Sequence, residues 1–285
     1  MLTVNPKEIP QQQLHSYLLG AVGPRPIAFA STIDKDGNSN LAPFSFYNVF
    51  SSNPPIAIFS PARGGKTGIT KHTHDNVKEV PEVVLNIVNY NMVQQMSLAS
   101  SPYAKGVDEF VKAGFTKLAS QMIRPFRVAE APVTMECKVN QVIELGQHGG
   151  AGNLIVCEVI LIHIKEEVLD EKGIIDQRKI DLVARMGGNW YSRAKEGLFE
   201  ITKPITTLGI GVDQIPESIK SSKVLSANNL GQLGSVEQLP LPEEITAYKA
   251  SQKSGFKNAE ELHAYAKTLL DVNKVTEAWK VLLAN

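Results

Sequence analysis

Cysteine is scarce in this chain of 285 residues, where only Cys137 and Cys157 occur. Two thiols cannot build a disulfide framework, and they cannot supply a four-thiolate zinc or iron–sulfur site. An excess of one charge is also missing, because 29 lysines and arginines balance 29 aspartates and glutamates. A neutral chain has no bulk attraction for nucleic acid or for an anionic membrane, so neither is expected as a partner.

Long hydrophobic runs are missing as well. The apolar stretch 154–164 is interrupted by Glu158 and His163, and it is too short to cross a bilayer. The first ten residues contain no charged segment followed by an apolar one, so no signal peptide is expected. Together with the few cysteines, these features favour a soluble protein of the reducing cytoplasm.

The first two thirds of the sequence favour β-structure. Short apolar runs that are typical of strands occupy 26–33, 55–60 and 83–88. Asp36-Gly37 lies between two extended segments and predicts a hairpin turn, since glycine adopts positive φ at low cost. Residues 133–139 alternate and predict a half-buried strand, whereas 154–164 predicts a strand that is covered on both sides. Because βαβ units do not alternate here, a β-barrel or sandwich is favoured over a doubly wound sheet.

Helical patterns are strongest at the end of the chain. Apolar residues recur at spacings of three and four over 258–271 and again over 275–282, which predicts two amphipathic helices. Asn258 begins the first of them as a capping residue. Two shorter helices are expected at 67–80 and 92–100.

This change of pattern predicts a domain boundary near residue 203. It separates a β-rich domain of residues 1–203 from a helical C-terminal extension of residues 204–285. We expect Trp279 and Leu282 to pack the extension against the barrel or against a partner subunit.

A cluster of hydroxyls and cations follows the predicted strand at 55–60. Its members are Ser60, Arg63, Lys66, Thr67, Thr70, Lys71 and His72. Such groups beside a helix start suit a phosphate monoester, although a solvated basic loop has the same composition. The segment is also a near miss of the phosphate loop of nucleotide triphosphatases, since Ser60 replaces its first glycine and Pro61 removes an N–H donor. A nucleotide hydrolase is therefore a disfavoured alternative.

Two further segments combine aromatic and polar residues. Residues 40–48 (NLAPFSFYN) fit an apolar wall for a flat cofactor, and they equally fit a buried strand with its turn. Residues 185–191 carry paired glycines before two aromatics, which suits either close approach to a ligand or a plain tight turn. His72 and His74 have the spacing of a metal pair, but the sequence places no third ligand, so no metal is expected.

The order of these segments resembles the flavin reductase family. The matching residues are RPIAFAST at 25–32, DGN at 36–38, NLAPFSF at 40–46, NPP at 53–55 with Ser60, and LVARMGG at 182–188. The resemblance spans residues 15–200 and implies an FMN-binding split β-barrel, usually a homodimer. The family's K-D-T-x-x-N phosphate signature is not intact, because residues 67–73 read TGITKHT.

The resemblance also implies the site and its chemistry. The implied contacts to non-covalently bound FMN are Ser45, Phe46, Tyr47, Asn48, Ser60, Arg63, Lys66, Thr67, Thr70, Lys71, His72, Gly188 and Tyr191. The implied activity is hydride transfer from NADH or NADPH to flavin, a step that needs no catalytic side chain because the cofactor carries the chemistry. A non-enzymatic, flavoredoxin-like FMN electron carrier is the alternative.

Overall fold

The computed structural model describes residues 1–201, 208–251 and 255–284. The chain consists of two compact units, Met1–Leu198 and Phe199–Asn285. The domain boundary expected at residue 203 falls outside the described residues.

A seven-stranded antiparallel sheet forms the body of the first unit. The strands of this unit are β1 Ala28–Ile33, β2 Ser39–Phe44, β3 Tyr47–Ser52, β4 Pro55–Phe59, β5 Glu82–Ile87, β6 Lys117–Leu118, β7 Arg127–Val128, β8 Val133–Glu144, β9 Asn153–Ile164, β10 Val183–Arg185 and β11 Tyr191–Arg193. The sheet has the order β2-β1-β5-β8-β9-β4-β3, and two ribbons, β6-β7 and β10-β11, stand apart from it. The predicted β-rich, mixed α+β class is therefore confirmed.

Helices cover parts of this sheet and make up the second unit. Their bounds are α1 Gln11–Ala21, α2 His72–Glu79, α3 Val93–Leu98, α4 Glu109–Ala113, α5 Glu217–Lys220, α6 Ala227–Gly234, α7 Pro242–Ser251, α8 Ala259–Asp271 and α9 Val275–Leu283. Among the described residues, none of these helices has both the length and the apolar character that a membrane crossing requires.

Strand β1 is the most deeply packed element of the sheet, since all six of its residues are buried. Phe29 faces one core, where its ring meets Phe115 edge-on at 5.2 Å between centroids. Ala28 and Ala30 face a second core on the other side of the sheet. The turn that follows contains Gly37 at φ 86°, which confirms the predicted hairpin.

The helix predicted over 67–80 is shorter than expected, because α2 begins only at His72. The preceding residues form a turn in which the N–H of Gly68 donates to the carbonyl of Gly64 at 2.8 Å. Gly68 adopts φ 66°, a conformation that a right-handed helix cannot contain. The cationic segment is therefore a loop that leads into a helix.

Strand β8 is buried on both faces at its start, so the prediction of a half-buried strand was wrong there. The alternation over 133–139 places Glu136 on the face that a half-buried strand exposes, yet its side chain is fully buried. A covering loop accounts for this, since the N–H groups of Gln121 and Met122 donate to the Glu136 carboxylate at 2.8 and 2.7 Å. His163 on β9 contacts the same carboxylate at 2.7 Å.

Strand β9 is less covered than predicted. Ile162 and Ile164 near its end are 51% and 40% exposed. Strand β4 pairs with residues 155–158 of β9, and the rest of β9 has β8 as its described neighbour.

The second unit has a core of its own. Trp279 is fully buried in it, and the indole N–H donates to the carbonyl of Leu233 at 3.0 Å. Leu282 and Leu270 belong to the same cluster. The expectation that Trp279 and Leu282 pack on the barrel or on a partner was wrong, because α5, α6 and α7 supply the apolar surface within the unit.

Removal of the Trp279 side chain tests this packing. Trp279→Ala leaves a large cavity and an unpaired carbonyl, and we expect a loss of about 3–5 kcal/mol in the stability of the second unit. Hydrogen exchange measured by mass spectrometry should show faster exchange of the amides in 208–251 and 255–284.

The other tryptophan of the chain provides the matched control. Trp190 is 78% exposed, so Trp190→Ala should leave the exchange of those amides unchanged. Equal effects of the two substitutions would contradict a Trp279-centred core.

Candidate functional site

Two adjoining cavities lie in the first unit, and Pro43 and Ser100 contribute to the walls of both. Cavity A has a volume of about 620 Å³ and cavity B about 410 Å³. Cavity A is lined by Ile27, Pro43, Ser45, Gln94, Met96, Ser97, Ser100, Arg185, Asn189 and Tyr191. Both volumes are within the range of roughly 300–1,000 Å³ that is typical of small-molecule sites.

The wall of cavity A combines apolar surface with hydrogen-bonding groups. Ile27 and Met96 provide apolar contact, and amides and hydroxyls come from α3 and from the end of β2. Arg185 supplies a positive charge, and its guanidinium lies 4.7 Å from the ring centroid of Tyr191. An apolar surface with a few polar groups suits a flat heteroaromatic ring.

An ion-pair cluster fixes the β10-β11 ribbon that carries Arg185 and Tyr191. Arg193 on β11 binds Asp181 through two hydrogen bonds of 2.9 and 2.7 Å, and its guanidinium covers the ring of Tyr90 at 3.7 Å. Lys195 lies 3.0 Å from the same carboxylate. The hydrogen bond from Arg193 is the main cause that lowers the pKa of Asp181. The ribbon is thereby held against the segment that precedes α3.

The wall of cavity B is rich in hydroxyls and cations at the start of α2. Its residues include Thr67, Thr70, Lys71 and His72. Lys71 is the N-cap of α2, and the first turn of a helix presents N–H groups and a partial positive charge. These groups together are suited to an anion such as a phosphate.

Residues of β2 and α4 also line cavity B. Asn40 donates to the hydroxyl of Thr73 at 2.9 Å, which ties β2 to α2. Glu109 of α4 is 5% exposed, and it accepts a hydrogen bond from the N–H of Leu41 at 3.0 Å. Among the described residues, the wall of cavity B thus combines a single carboxylate with its cations.

Arg63, a predicted FMN contact, is engaged in an ion pair instead of lining cavity A or B. Its Nη2 contacts Glu144 at 3.0 Å, and the same guanidinium donates to the carbonyls of Gly146 and Gly68. Lys78 on α2 also binds Glu144, at 3.1 Å. The hydrogen bond from Lys78 is the main cause that lowers the pKa of Glu144 to about 2. Arg63 thus joins the loop before α2 to the β8-β9 turn.

Ser60, Phe46, Lys66 and Gly188 also line neither cavity A nor cavity B. Ser60 is buried, and its hydroxyl accepts from the N–H of Asn153 at 3.0 Å. Phe46 is 41% exposed and contacts His15 of α1 edge-on. Lys66 is exposed, and Gly188 forms a turn at φ 56°.

Tyr47 and Asn48 line a third cavity, cavity C, of about 340 Å³. Its wall is mostly apolar, and it shares Ile27 with cavity A. Burial raises the pKa of Tyr47 well above its usual range. The predicted set is therefore divided, with Ser45 and Tyr191 in cavity A, and with Thr67, Thr70, Lys71 and His72 in cavity B.

Sequence reasoning missed several wall residues. Gln94 and Ser97 come from a helix that was predicted only as a short element, and Glu109 lies in a helix that was not predicted. Their only signal is a polar side chain beside apolar ones, which many surface helices share. Arg185 and Asn189 lie in a segment that the sequence did single out.

Solved structures identify the fold as a split barrel. Nitrilotriacetate monooxygenase component B of Bacillus cereus is 29% identical, with a TM-score of 0.66 over 70% of this chain and 98% of that one. A Shewanella frigidimarina protein, described as having a split barrel domain, is 21% identical, with a TM-score of 0.59 over 69% and 95% of the two chains. The predicted split β-barrel is confirmed.

The family follows from the sequence of the same unit. Residues 21–183 match the flavin reductase like domain. An uncharacterized protein of Aquifex aeolicus (strain VF5) is 34% identical over 188 residues, which are 66% of this chain and 93% of that protein. The chain belongs to the flavin reductase-like family, and the second unit follows the residues that match the family domain.

The ion pairs of Glu144 predict a pH dependence of stability. The pKa of this carboxyl is lowered in the folded protein, so its stabilising effect is present above the unfolded value of about 4.3 and is lost as the pH falls to about 2. Glu144→Gln should lower Tm at pH 7, and its difference from wild type should shrink between about pH 5 and 2.

Thermal unfolding followed by circular dichroism measures both proteins at each pH. The exposed Glu171 is the control, and Glu171→Gln should leave Tm close to wild type at every pH. A Glu144→Gln difference that is as large near pH 2 as at pH 7 would argue against these ion pairs.

Proposed function

We propose that this protein binds FMN non-covalently and transfers hydride from NADH or NADPH to flavin. The observation that carries the proposal is the pair of adjoining cavities, one rich in cations and hydroxyls, and the other suited to a flat polar ring. Membership of the flavin reductase-like family supports it. The chemistry that FMN supplies when bound is acceptance of a hydride by its ring system.

The phosphate of FMN is proposed to lie in cavity B. Thr67 and Thr70 offer hydroxyl donors, and Lys71 and His72 offer positive charge beside the N–H groups that begin α2. These groups fit a phosphate monoester because charged hydrogen bonds and a helix start both favour an anion. Arg63 supports them indirectly, since it holds the loop in place through Glu144.

The ring of FMN is proposed to lie in cavity A. Ser45 and the amides of Gln94 and Asn189 can hydrogen-bond its polar edge, and Ile27 can contact its face. Arg185 places a positive charge in this wall, which stabilises the negative charge that a flavin gains on reduction. Proline at position 43 contributes to both cavities, so ring and phosphate are proposed to lie on either side of it.

A homodimer is proposed to cover the outer face of β3. Val49 and Phe50 on this strand are 57% and 64% exposed, next to the apolar cavity C. Exposed apolar patches of this kind are typical of interaction surfaces. A monomer mass in analytical ultracentrifugation would exclude the dimer.

The proposed site of action is the reducing cytoplasm, and the two buried free thiols are consistent with it.

A spectrum and a turnover assay test the proposed function. The purified full-length chain, alone or after addition of FMN, should show the flavin absorbance band near ~450 nm. Steady-state oxidation of NADH or NADPH should then accelerate when free flavin is added.

The outcomes of this test separate the candidate functions. A yellow protein that oxidises neither nucleotide would indicate an electron carrier that receives electrons from a protein donor. The absence of any bound flavin after reconstitution would rule out both forms of the proposal.

Substitution of Lys71 tests the placement of the phosphate. Lys71→Ala removes a charged donor that is worth about 1.5–3 kcal/mol, so the Kd for FMN should rise about tenfold to hundredfold. The Kd for riboflavin, which has no phosphate, should stay unchanged. Fluorescence titration of the flavin measures both constants.

Lys138, an exposed residue on β8, provides a control of the same charge. Lys138→Ala should bind FMN as the wild type does. An equal loss of affinity for FMN and riboflavin in Lys71→Ala would place the phosphate elsewhere.

A further inference from the structure

Glu109 is an unusual residue for an anion site. It is 5% exposed, it lies in the wall of cavity B, and it is the one carboxylate among the described residues of that wall. One of its oxygens, Oε2, accepts a hydrogen bond from the N–H of Leu41 on β2. Burial is the main cause that raises the pKa of Glu109 above its ordinary value. A carboxyl group of this kind sits where the proposed function requires a phosphate.

The other titratable and charged groups near Glu109 come from the start of α2, from the segment before α4 and from β6. Lys71 and His72 face the cavity from the start of α2, and Tyr103 faces it from the segment before α4. Asp108 adjoins Glu109 in the chain, and its carboxylate is bound by the ammonium of Lys117 and by the N–H of Phe110. A bound phosphate and an ionised Glu109 would thus both depend on the same positive groups, Lys71 and His72, for stabilisation.

Two anions in one buried site repel each other, and the usual result is that one of them binds a proton. A phosphate bound beside His72 would offset the charge of that side chain, which favours the ionised form of Glu109. A neutral carboxyl group, by contrast, can donate to a phosphate oxygen in a short, charge-assisted hydrogen bond. Its second oxygen can still accept from Leu41.

We propose that Glu109 takes up one proton from solvent when a flavin phosphate enters cavity B, and that the carboxyl O–H then donates a hydrogen bond to a phosphate oxygen. The inference rests on the proposed function, because it requires FMN in these cavities. It makes Glu109 a residue that selects for the phosphate-bearing flavin and links its binding to pH.

The sign of this linkage follows from the direction of the proton uptake. A group that binds a proton more tightly in the complex favours binding at low pH. The contribution of this proton to FMN binding is lost as the pH rises from the pKa of Glu109 in the free protein to its pKa in the complex. For one proton, the affinity for FMN falls by at most about tenfold per pH unit across that window. Riboflavin should show no such fall.

Glu109→Gln isolates this effect. The glutamine oxygen can still accept from the N–H of Leu41, but the side chain no longer titrates. The full-length apoprotein is titrated with FMN and with riboflavin from about pH 6 to pH 9. Wild type should lose affinity for FMN relative to Glu109→Gln as the pH rises, so that the variant binds FMN more tightly at the upper end. Both proteins should bind riboflavin equally.

Other titrating groups cancel in this comparison. The second ionisation of the phosphate, with a pKa of about 6, affects wild type and variant alike. Glu130 provides a matched control, because its carboxylate also accepts from a backbone N–H, that of Thr116 at 3.0 Å, and lies outside the wall of cavity B. Glu130→Gln should reproduce the pH dependence of the wild type.

Calorimetry provides a measurement on the unaltered protein. Titrations of wild type in buffers of different ionisation enthalpy should give a greater proton uptake with FMN than with riboflavin above pH ~8, where the phosphate is almost fully ionised. Equal proton uptake with the two flavins would refute proton uptake at Glu109 even if Glu109→Gln does not fold.

Each other outcome overturns the inference in a recognisable way. A wild type and a Glu109→Gln variant that bind FMN with the same pH dependence would refute proton uptake at Glu109 while the proposed function stands. Weaker binding of FMN by the variant at high pH would refute it as well. Failure of wild type to bind FMN at any pH would instead refute the proposed function, and the inference with it.

Discussion

The pairing of β2 with β1 is the constraint on which the candidate site depends. Phe29 and its neighbours bury β1 on both faces, so the register of β2 cannot shift without turning its side chains over. This register sets Pro43 opposite Phe29, at the outer edge of the sheet. Proline has no N–H to offer a further strand and is tolerated at such an edge. The edge is therefore open to a ligand, and both cavities meet there.

Ion pairs then fix the loops that surround this edge. Glu144 holds Arg63 and Lys78, and Asp181 holds Arg193. In both cases a carboxylate joins a loop to a neighbouring element, and the cation involved lies outside the walls of cavities A and B. The lysines and arginines of these segments thus have two roles. Some form ion pairs that hold loops in place, and others, such as Lys71 and Arg185, line a cavity.

Much of the fold could be predicted from the sequence, because its causes are local. The Asp36-Gly37 turn and the apolar runs specify strands by conformational preference, and the order of motifs specifies the family. The wall of cavity B was only partly predictable. Arg63 and Lys71 look alike in sequence, and only the position of Glu144 separates their roles. The burial of Glu136 likewise depends on a distant loop that donates to it. Such contacts depend on tertiary packing that no spacing encodes.

The position of Glu109 is explained in part by the hydrogen bond that it accepts from the backbone of the edge strand β2. A buried N–H at Leu41 needs an acceptor, and leaving it unpaired would cost about 1–3 kcal/mol. A glutamine would meet that need as well as a glutamate, without the cost of a buried charge. The carboxyl group therefore requires a second reason, and its place among the cations of cavity B supplies one. The Glu109 carboxyl group links the hydrogen bond to β2 with the charge of the proposed phosphate in cavity B. A neutral amide could not do so, because it does not titrate.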